Sequence, residues 1–286
     1  MMGIMGDVLF VVWRESVEAL LVIGILYAWL RRQPEAGQGL RYLWLGVGLG
    51  LGAAVLLGTM VLKAASLLDG DSGEIFQIAM VLFASALIVQ MVCWMRRHGR
   101  TLKAELEQGM QRNLASHNWW GMVAVIVIAI AREGSETVIF LYGLGVQQQG
   151  GGLLSFVFSA LVGLGLAFAT FALLQAGTRA LSWRTFFRFS EAMLLLLAAA
   201  LLTTGVEKLV SLGWLPGLVD PLWDSGWLLD DSTTTGGLVA ALTGYRAHPA
   251  LTMLIAYVAY WGVVSWLLRA PALSGKAPSQ VAAARG

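Results

Sequence analysis

Charge is scarce in this 286-residue chain: 13% of its residues are Asp, Glu, Lys or Arg, 58% are hydrophobic, and mean hydropathy is +0.73. An ordinary soluble domain carries about a quarter charged residues, so a globule with an average wet surface is excluded. Cysteine is scarcer still. The single Cys93 rules out an intramolecular disulfide and any zinc or iron–sulfur site built on cysteines. Histidine occurs only as His98, His117 and His248, all in connections between apolar spans, which leaves a haem or His-rich zinc site in the membrane without ligands. No Ser–His or Cys–His constellation falls within the spans, which argues against an enzyme. Lys and Arg are missing from Met1 to Gly6, and the span that follows carries charges in its middle, so a cleavable signal peptide is not expected. The net charge of +2 gives no reason to expect nucleic acid as a partner.

What the chain has instead is long apolar runs. A helix needs about 20 mostly apolar residues to cross the hydrocarbon core. Segments that qualify run roughly over 7–30, 42–68, 74–95, 119–142, 152–176, 189–210 and 250–268. They are too long and too uniformly apolar for the alternating strands of a barrel. The expected class is therefore an all-α integral membrane protein with seven transmembrane helices. The 12 Trp suit the membrane–water interfaces, where an apolar ring can keep its N–H wet.

The connections assign direction. Arg31, Arg32 and Arg41 follow the first span; Arg96, Arg97, Arg100, Lys103 and Arg112 the third; Arg179, Arg184 and Arg188 the fifth; Arg269, Lys276 and Arg285 the seventh. Of the 19 basic residues, 14 thus fall in alternate connections, and only Arg246 falls in the others. The positive-inside rule then puts the N-terminus outside and the C-terminus inside. The segment 96–118 reads as a cytoplasmic connection with a solvated, mixed-charge face. The stretch 211–249 reads as the longest extracytoplasmic loop, with Pro216, Pro221 and Gly236-Gly237 as breakers. Glycines at 46, 48, 50 and 52 offer small-residue spacing for close helix packing. Lys63, Glu207 and Lys208 are expected to snorkel or pair near the outer ends of their helices.

Six charges lie where lipid should exclude them. Arg14, Glu15 and Glu18 sit mid-span in helix 1, and Arg132, Glu133 and Glu136 mid-span in helix 4. Each costs roughly 2.5–3.5 kcal/mol at a helix centre, a penalty that leucine would avoid. Residues three or four apart share a helix face, so Arg14 can reach Glu18 and Arg132 can reach Glu136. Two self-neutralising salt bridges are the plain structural explanation, but they leave one carboxylate per motif unpaired. The alternative is a carboxylate cluster with a net charge of −2 across both motifs, suited to drawing a cation out of water. Oxygen-only ligation fits ferric or ferrous iron, manganese, magnesium or calcium.

The motifs lie 118 residues apart on oppositely directed helices, so helices 1–3 and 4–6 form two inverted three-helix repeats with a seventh helix appended. The expected division is 1–95 first repeat, 96–118 connection, 119–210 second repeat, 211–249 outer loop, 250–268 helix 7 and 269–286 cytoplasmic tail. A second pair of acids keeps the register: Glu74 follows Glu18 by 56 residues and Glu191 follows Glu136 by 55. Glu74 is expected to receive a cation from outside and Glu191 to pass it inward. Each is otherwise an acid marking a helix N-terminus.

Arg14-Glu-Ser-Val-Glu18 and Arg132-Glu-Gly-Ser-Glu136 resemble the paired motifs of the high-affinity iron permease family. So do Trp94-Met-Arg-Arg-His98, Ser190-Glu-Ala-Met-Leu, Gly205-Val-Glu, Asp224-Ser-Gly-Trp-Leu-Leu-Asp-Asp231 and Gly244-Tyr-Arg-Ala, so the likeness spans helices 1 to 7. One Arg-Glu-x-x-Glu is a weak pattern; two copies at mid-membrane in inverted repeats are specific. The resemblance implies a permease that imports iron as substrate across the cytoplasmic (inner) membrane, with no resident cofactor. It makes Glu15, Glu18, Glu133 and Glu136 the metal ligands and Arg14 and Arg132 the groups that position them. It also implies an extracytoplasmic oxidase or iron-donating partner, which the acidic outer loop (Asp220, Asp224, Asp230, Asp231) could dock. The alternatives are a lead or manganese permease on the same scaffold, a proton-coupled antiporter, and an iron sensor. The sensor has no use for a symmetric two-sided path.

Overall fold

A computed structural model describes residues 2–33, 36–68, 70–98, 108, 119–146, 153–175, 183–231 and 233–269. Among them, all regular structure is helical. The helices are α1 (Met2–Leu30), α2 (Ala36–Leu67), α3 (Asp71–His98), α4 (Trp119–Val146), α5 (Leu153–Gln175), α6 (Trp183–Ser211), a short α7 (Thr234–Thr243) and α8 (Leu251–Arg269). Beyond residue 98 the connection 96–118 lies outside the described residues, apart from residue 108. The tail after residue 269 and the side chains of Arg97, Arg179 and Arg184 lie outside them as well.

Five helices, α2, α3, α5, α6 and α8, are long and apolar enough to cross a membrane. The other two long ones, α1 and α4, are the pair that carry the mid-helix charges. Burial separates inner from outer helices. In α6, 61% of the most apolar window is buried, against 22% in α2 and in α5. The exposed sides of α2 and α5 present Leu49, Val55, Leu56 and Met60, and Leu154, Phe158, Leu161 and Phe168. In water such a surface would be an aggregation liability; against lipid tails it needs no cover. The molecule is a multi-pass membrane protein.

Packing is organised by three helix pairs: α2 against α4, α1 against α5, and α3 against α6. The α2–α4 seam explains the spaced glycines. A Cβ on Gly46 would fall 2.8 Å from Ile126, one on Gly50 2.7 Å from Ile130, and one on Gly134 2.4 Å from Ala54. Gly48 and Gly52 have open space beside them, so only half the glycine run serves the seam. Residue numbers rise together along this pair, so α2 and α4 run parallel. The α1–α5 pair is parallel too. Gly163 abuts Leu9 and Val12, Trp13 Nε1 donates to Thr170 Oγ1 at 2.9 Å, and Gly24 abuts Phe171. By contrast α3 and α6 are antiparallel. Ser85 Oγ donates to the Ala198 carbonyl at 2.7 Å, Leu82 meets Gly205, and Lys208 Nζ donates to Gln77 at 3.4 Å.

Two expectations need correction. Helix α6 starts at Trp183, not at residue 189, so Glu191 lies two turns inside it and is no N-terminal marker. The stretch 211–249, expected to be an outer loop, is also more than loop: α7 forms within it and packs on α1 and α6. Thr233 caps this helix, its Oγ1 accepting from Gly236 N at 3.1 Å. Gly236 is therefore no breaker. It is needed because a Cβ there would sit 1.9 Å from the Asp230 carbonyl oxygen.

Candidate metal site

The two Arg-Glu-x-x-Glu motifs meet where α1 crosses α4. Glu15, Glu133 and Glu136 each bring one carboxylate oxygen within 4.8 Å of the others, and all three residues are buried. Their placement follows from helical spacing, since Glu133 and Glu136 are neighbours on one face of α4. Each of the three also has an Oε2 that is buried without a hydrogen-bond partner. A buried, unpartnered carboxylate oxygen is costly, and three in one place form a donor set that a hard or borderline cation would complete.

The arginines divide the charge unequally. Arg14 is 1% exposed; its Nη1 donates to Glu15 Oε1 at 2.5 Å and its Nη2 forms an ion pair with Glu18. One carboxylate per motif was expected to stay unpaired, but Arg14 engages both glutamates of its own motif because the guanidinium fork has two terminal amino groups. Arg132 behaves as the spacing predicts: Nε pairs with Glu136 Oε1 at 3.0 Å. Among the described residues Glu133 has no ion-pair partner, so the uncompensated negative charge falls on the second motif.

Helix α3 holds both arginines. Arg14 Nη1 donates to Met91 Sδ at 2.9 Å and Nη2 to Met95 Sδ at 3.0 Å, while the Arg132 guanidinium lies 4.1 Å from the centroid of the Trp94 ring. The last is a cation–π contact of favourable reach. Nothing in the local sequence around Met91, Trp94 and Met95 announces this role. Their i, i+3, i+4 spacing, which puts them on one face, is the only signal.

Not every anticipated acid reaches the cluster. Glu18 pairs with Arg14 and interacts electrostatically with Glu133 and Glu136, but it is not one of the three acids whose oxygens lie within 4.8 Å of one another. Glu191 is joined to Arg96, an ion pair between α6 and α3, and contacts no motif glutamate. Glu74 is exposed in the first turn of α3, about 25 Å along the helix axis from Met91. A different acid was overlooked. Asp7 is 1% exposed and neither of its carboxylate oxygens has a hydrogen-bond partner. It precedes Arg14 by two turns and Glu18 by three, placing all three on one stripe of α1. That 7-and-11 spacing was the available signal.

In the segment 211–249 the acids mostly serve local structure. Asp224 Oδ1 accepts from Gly226 N and pairs with His248 at 2.9 Å, and Asp231 accepts from Ala247 N at 3.3 Å. Glu207 pairs with Arg246 at 3.0 Å, in keeping with the pairing expected near the outer helix ends.

A bundle with lipid-compatible flanks and a carboxylate cluster buried between two charged helices defines a membrane protein with a candidate cation site. The particular family follows from comparison: residues 5–276 match the Iron permease FTR1 family, and the chain belongs to it. It is similar to "Ferrous iron permease EfeU" of Escherichia coli O6:K15:H31 (strain 536 / UPEC), 27% identical over 249 residues covering 86% of this chain and 89% of that one. It is likewise similar to "Ferrous iron permease EfeU" of Yersinia pestis, 26% identical over 282 residues covering 96% of each. No solved structure matches it. The family is one of transporters rather than enzymes.

Proposed function

We propose that this chain imports ferrous iron across the cytoplasmic membrane through the carboxylate cluster formed by Glu15, Glu133 and Glu136. The observation that carries the reading is the convergence of three buried carboxylates, each with an unpartnered oxygen, from two oppositely directed helices. The choice of ferrous over ferric iron draws on the relatives, whose names state that substrate. Oxygen donors at a partly neutralised site are compatible with it. Glu18 acts with Arg14 as the adjustable counter-charge and becomes a ligand when Arg14 yields it. Arg14 and Arg132 position the carboxylates and limit the charge of the site.

All seven long helices cross the membrane in this reading, N-terminus outside and C-terminus inside. Helices α1–α3 and α4–α6 are inverted repeats, 1–95 and 119–210, joined by the cytoplasmic connection 96–118. Exchanging α1 with α4, α2 with α5 and α3 with α6 turns the α1–α5 pair into α4–α2, and both pairs are parallel and tightly packed. The same exchange maps the antiparallel α3–α6 pair onto itself. These relations are what the loop charges require.

Within the path, Asp7 is better placed than Glu74 to receive the ion from outside, because it is buried on the stripe that leads to Arg14 and Glu18. Its counterpart by the 118-residue offset is Val125, so the extra acid exists on the outer side alone. Glu191, latched by Arg96, is the inner carboxylate that must open for release. An extracytoplasmic oxidase or iron donor would meet the outer segment 211–249.

The test is metal uptake by purified protein in liposomes, comparing ferrous, ferric, lead and manganese ions, with Glu15→Ala and Glu133→Ala as controls. Ferrous uptake that both variants abolish is the expected result. Wild-type uptake in both, or proton flux without metal, would overturn the reading.

A further inference from the structure

The guanidinium of Arg14 sits among four acceptors that alternate in chemistry. Its Nη1 bridges a Glu15 carboxylate oxygen and Met91 Sδ, and its Nη2 bridges Glu18 and Met95 Sδ. Thioether sulfur is a weak hydrogen-bond acceptor, so two of them are a poor choice merely for holding a buried cation in place. Leucine would fill the same space without polar demands and with better-defined rotamers. Met91 is 2% exposed, so its sulfur is committed to this surrounding and not to solvent.

Carboxylates alone leave a selectivity problem. Magnesium and calcium are hard cations that oxygen ligands accept readily, and both are far more abundant than iron in most surroundings. Thioether sulfur binds softer metals and contributes little to magnesium or calcium. We propose that Met91 and Met95 are specificity-determining residues. Together with Glu15 and Glu18 they form a mixed oxygen–sulfur station that the transported ion occupies when Arg14 withdraws, and the sulfurs favour a ferrous-type transition cation over magnesium and calcium. Arg14 fills this station at rest as a surrogate cation. Glu15 links it to the cluster, since Glu15 is both the partner of Arg14 and a member of the three-carboxylate set.

The inference rests on the transport reading, and the experiment separates the two. Ferrous uptake into liposomes is measured for wild type and for Met91→Leu/Met95→Leu, a nearly volume-conserving exchange, alone and against rising calcium or magnesium. The expected result is ferrous uptake reduced severalfold without competitor, with the competitor concentration for half-inhibition lowered by roughly tenfold, the factor that corresponds to about 1.4 kcal/mol of discrimination. An unchanged competition curve overturns the proposal even where uptake falls, and would leave the sulfurs as supports for Arg14 alone. Wild-type uptake in Glu15→Ala and Glu133→Ala would instead defeat the transport reading itself.

Discussion

The same five-residue pattern occurs twice, and the two copies do different things. In α1, Arg14 is fully enclosed, touches both glutamates of its motif and is backed by two sulfurs. In α4, Arg132 is 36% exposed, engages Glu136 alone and lies over the Trp94 ring. The first motif is electrostatically closed and the second retains a spare carboxylate, Glu133. Identical spacing fixes which side chains share a face. The surroundings from other helices fix how the charge is shared. Two copies of one motif thereby carry different charge, an asymmetry that a transporter can use.

The sharpest way to break this comparison is to remove the spare charge. Glu133→Gln should reduce ferrous uptake by about a hundredfold or more, as loss of a central ligand does, whereas Glu18→Gln should leave a measurable fraction. Equal losses in the two would mean that the motifs are equivalent after all. Next in size is the contrast between the arginines. Arg14→Leu strands two buried carboxylates and should destabilise the folded protein by about 3–5 kcal/mol. Arg132→Leu strands a single buried carboxylate, Glu136, and should cost less, because Arg132 makes one pair and is itself partly exposed. Thermal unfolding in detergent measures both, and similar shifts would refute the closed-versus-open distinction.

The packing offers a smaller effect. Gly50→Val drives a side chain into Ile130 and should cost about 1–3 kcal/mol by overpacking, while Gly48→Val faces open space and should be nearly neutral. The mildest prediction concerns the outer approach: Asp7→Asn should raise the ferrous concentration for half-maximal uptake severalfold with little change in maximal rate. A loss of maximal rate with an unchanged half-saturation would move Asp7 from capture to translocation.

How much of this could be read from the sequence depends on whether an interaction was local. The pairs Arg14–Glu18 and Arg132–Glu136 are four residues apart on one helix, and helical geometry alone dictates them. The apolar lengths likewise announced the long helices. Contacts between helices were hidden. Met91 lies 77 residues from Arg14, and no periodicity in α3 tells which of its faces would meet α1. Of the glycines at 46, 48, 50 and 52, the sequence could not say which half formed a seam, because that depends on how α2 rotates about its own axis to face α4. Glu191 was set at a helix start because Arg184 and Arg188 weaken the apolar run, although the helix continues through them. Helix α7 escaped notice because paired glycines read as breakers; Thr233 capping and the close approach of Asp230 give them a helical first turn instead.

Equilibrium binding of ferrous iron to the purified protein under anaerobic conditions tests the central claim most directly. Wild type should bind a single ion per chain that is lost in Glu133→Gln but retained, more weakly, in Glu18→Gln. Undiminished binding in Glu133→Gln, with the protein folded, would contradict the assignment of the buried cluster as the site that carries the ion.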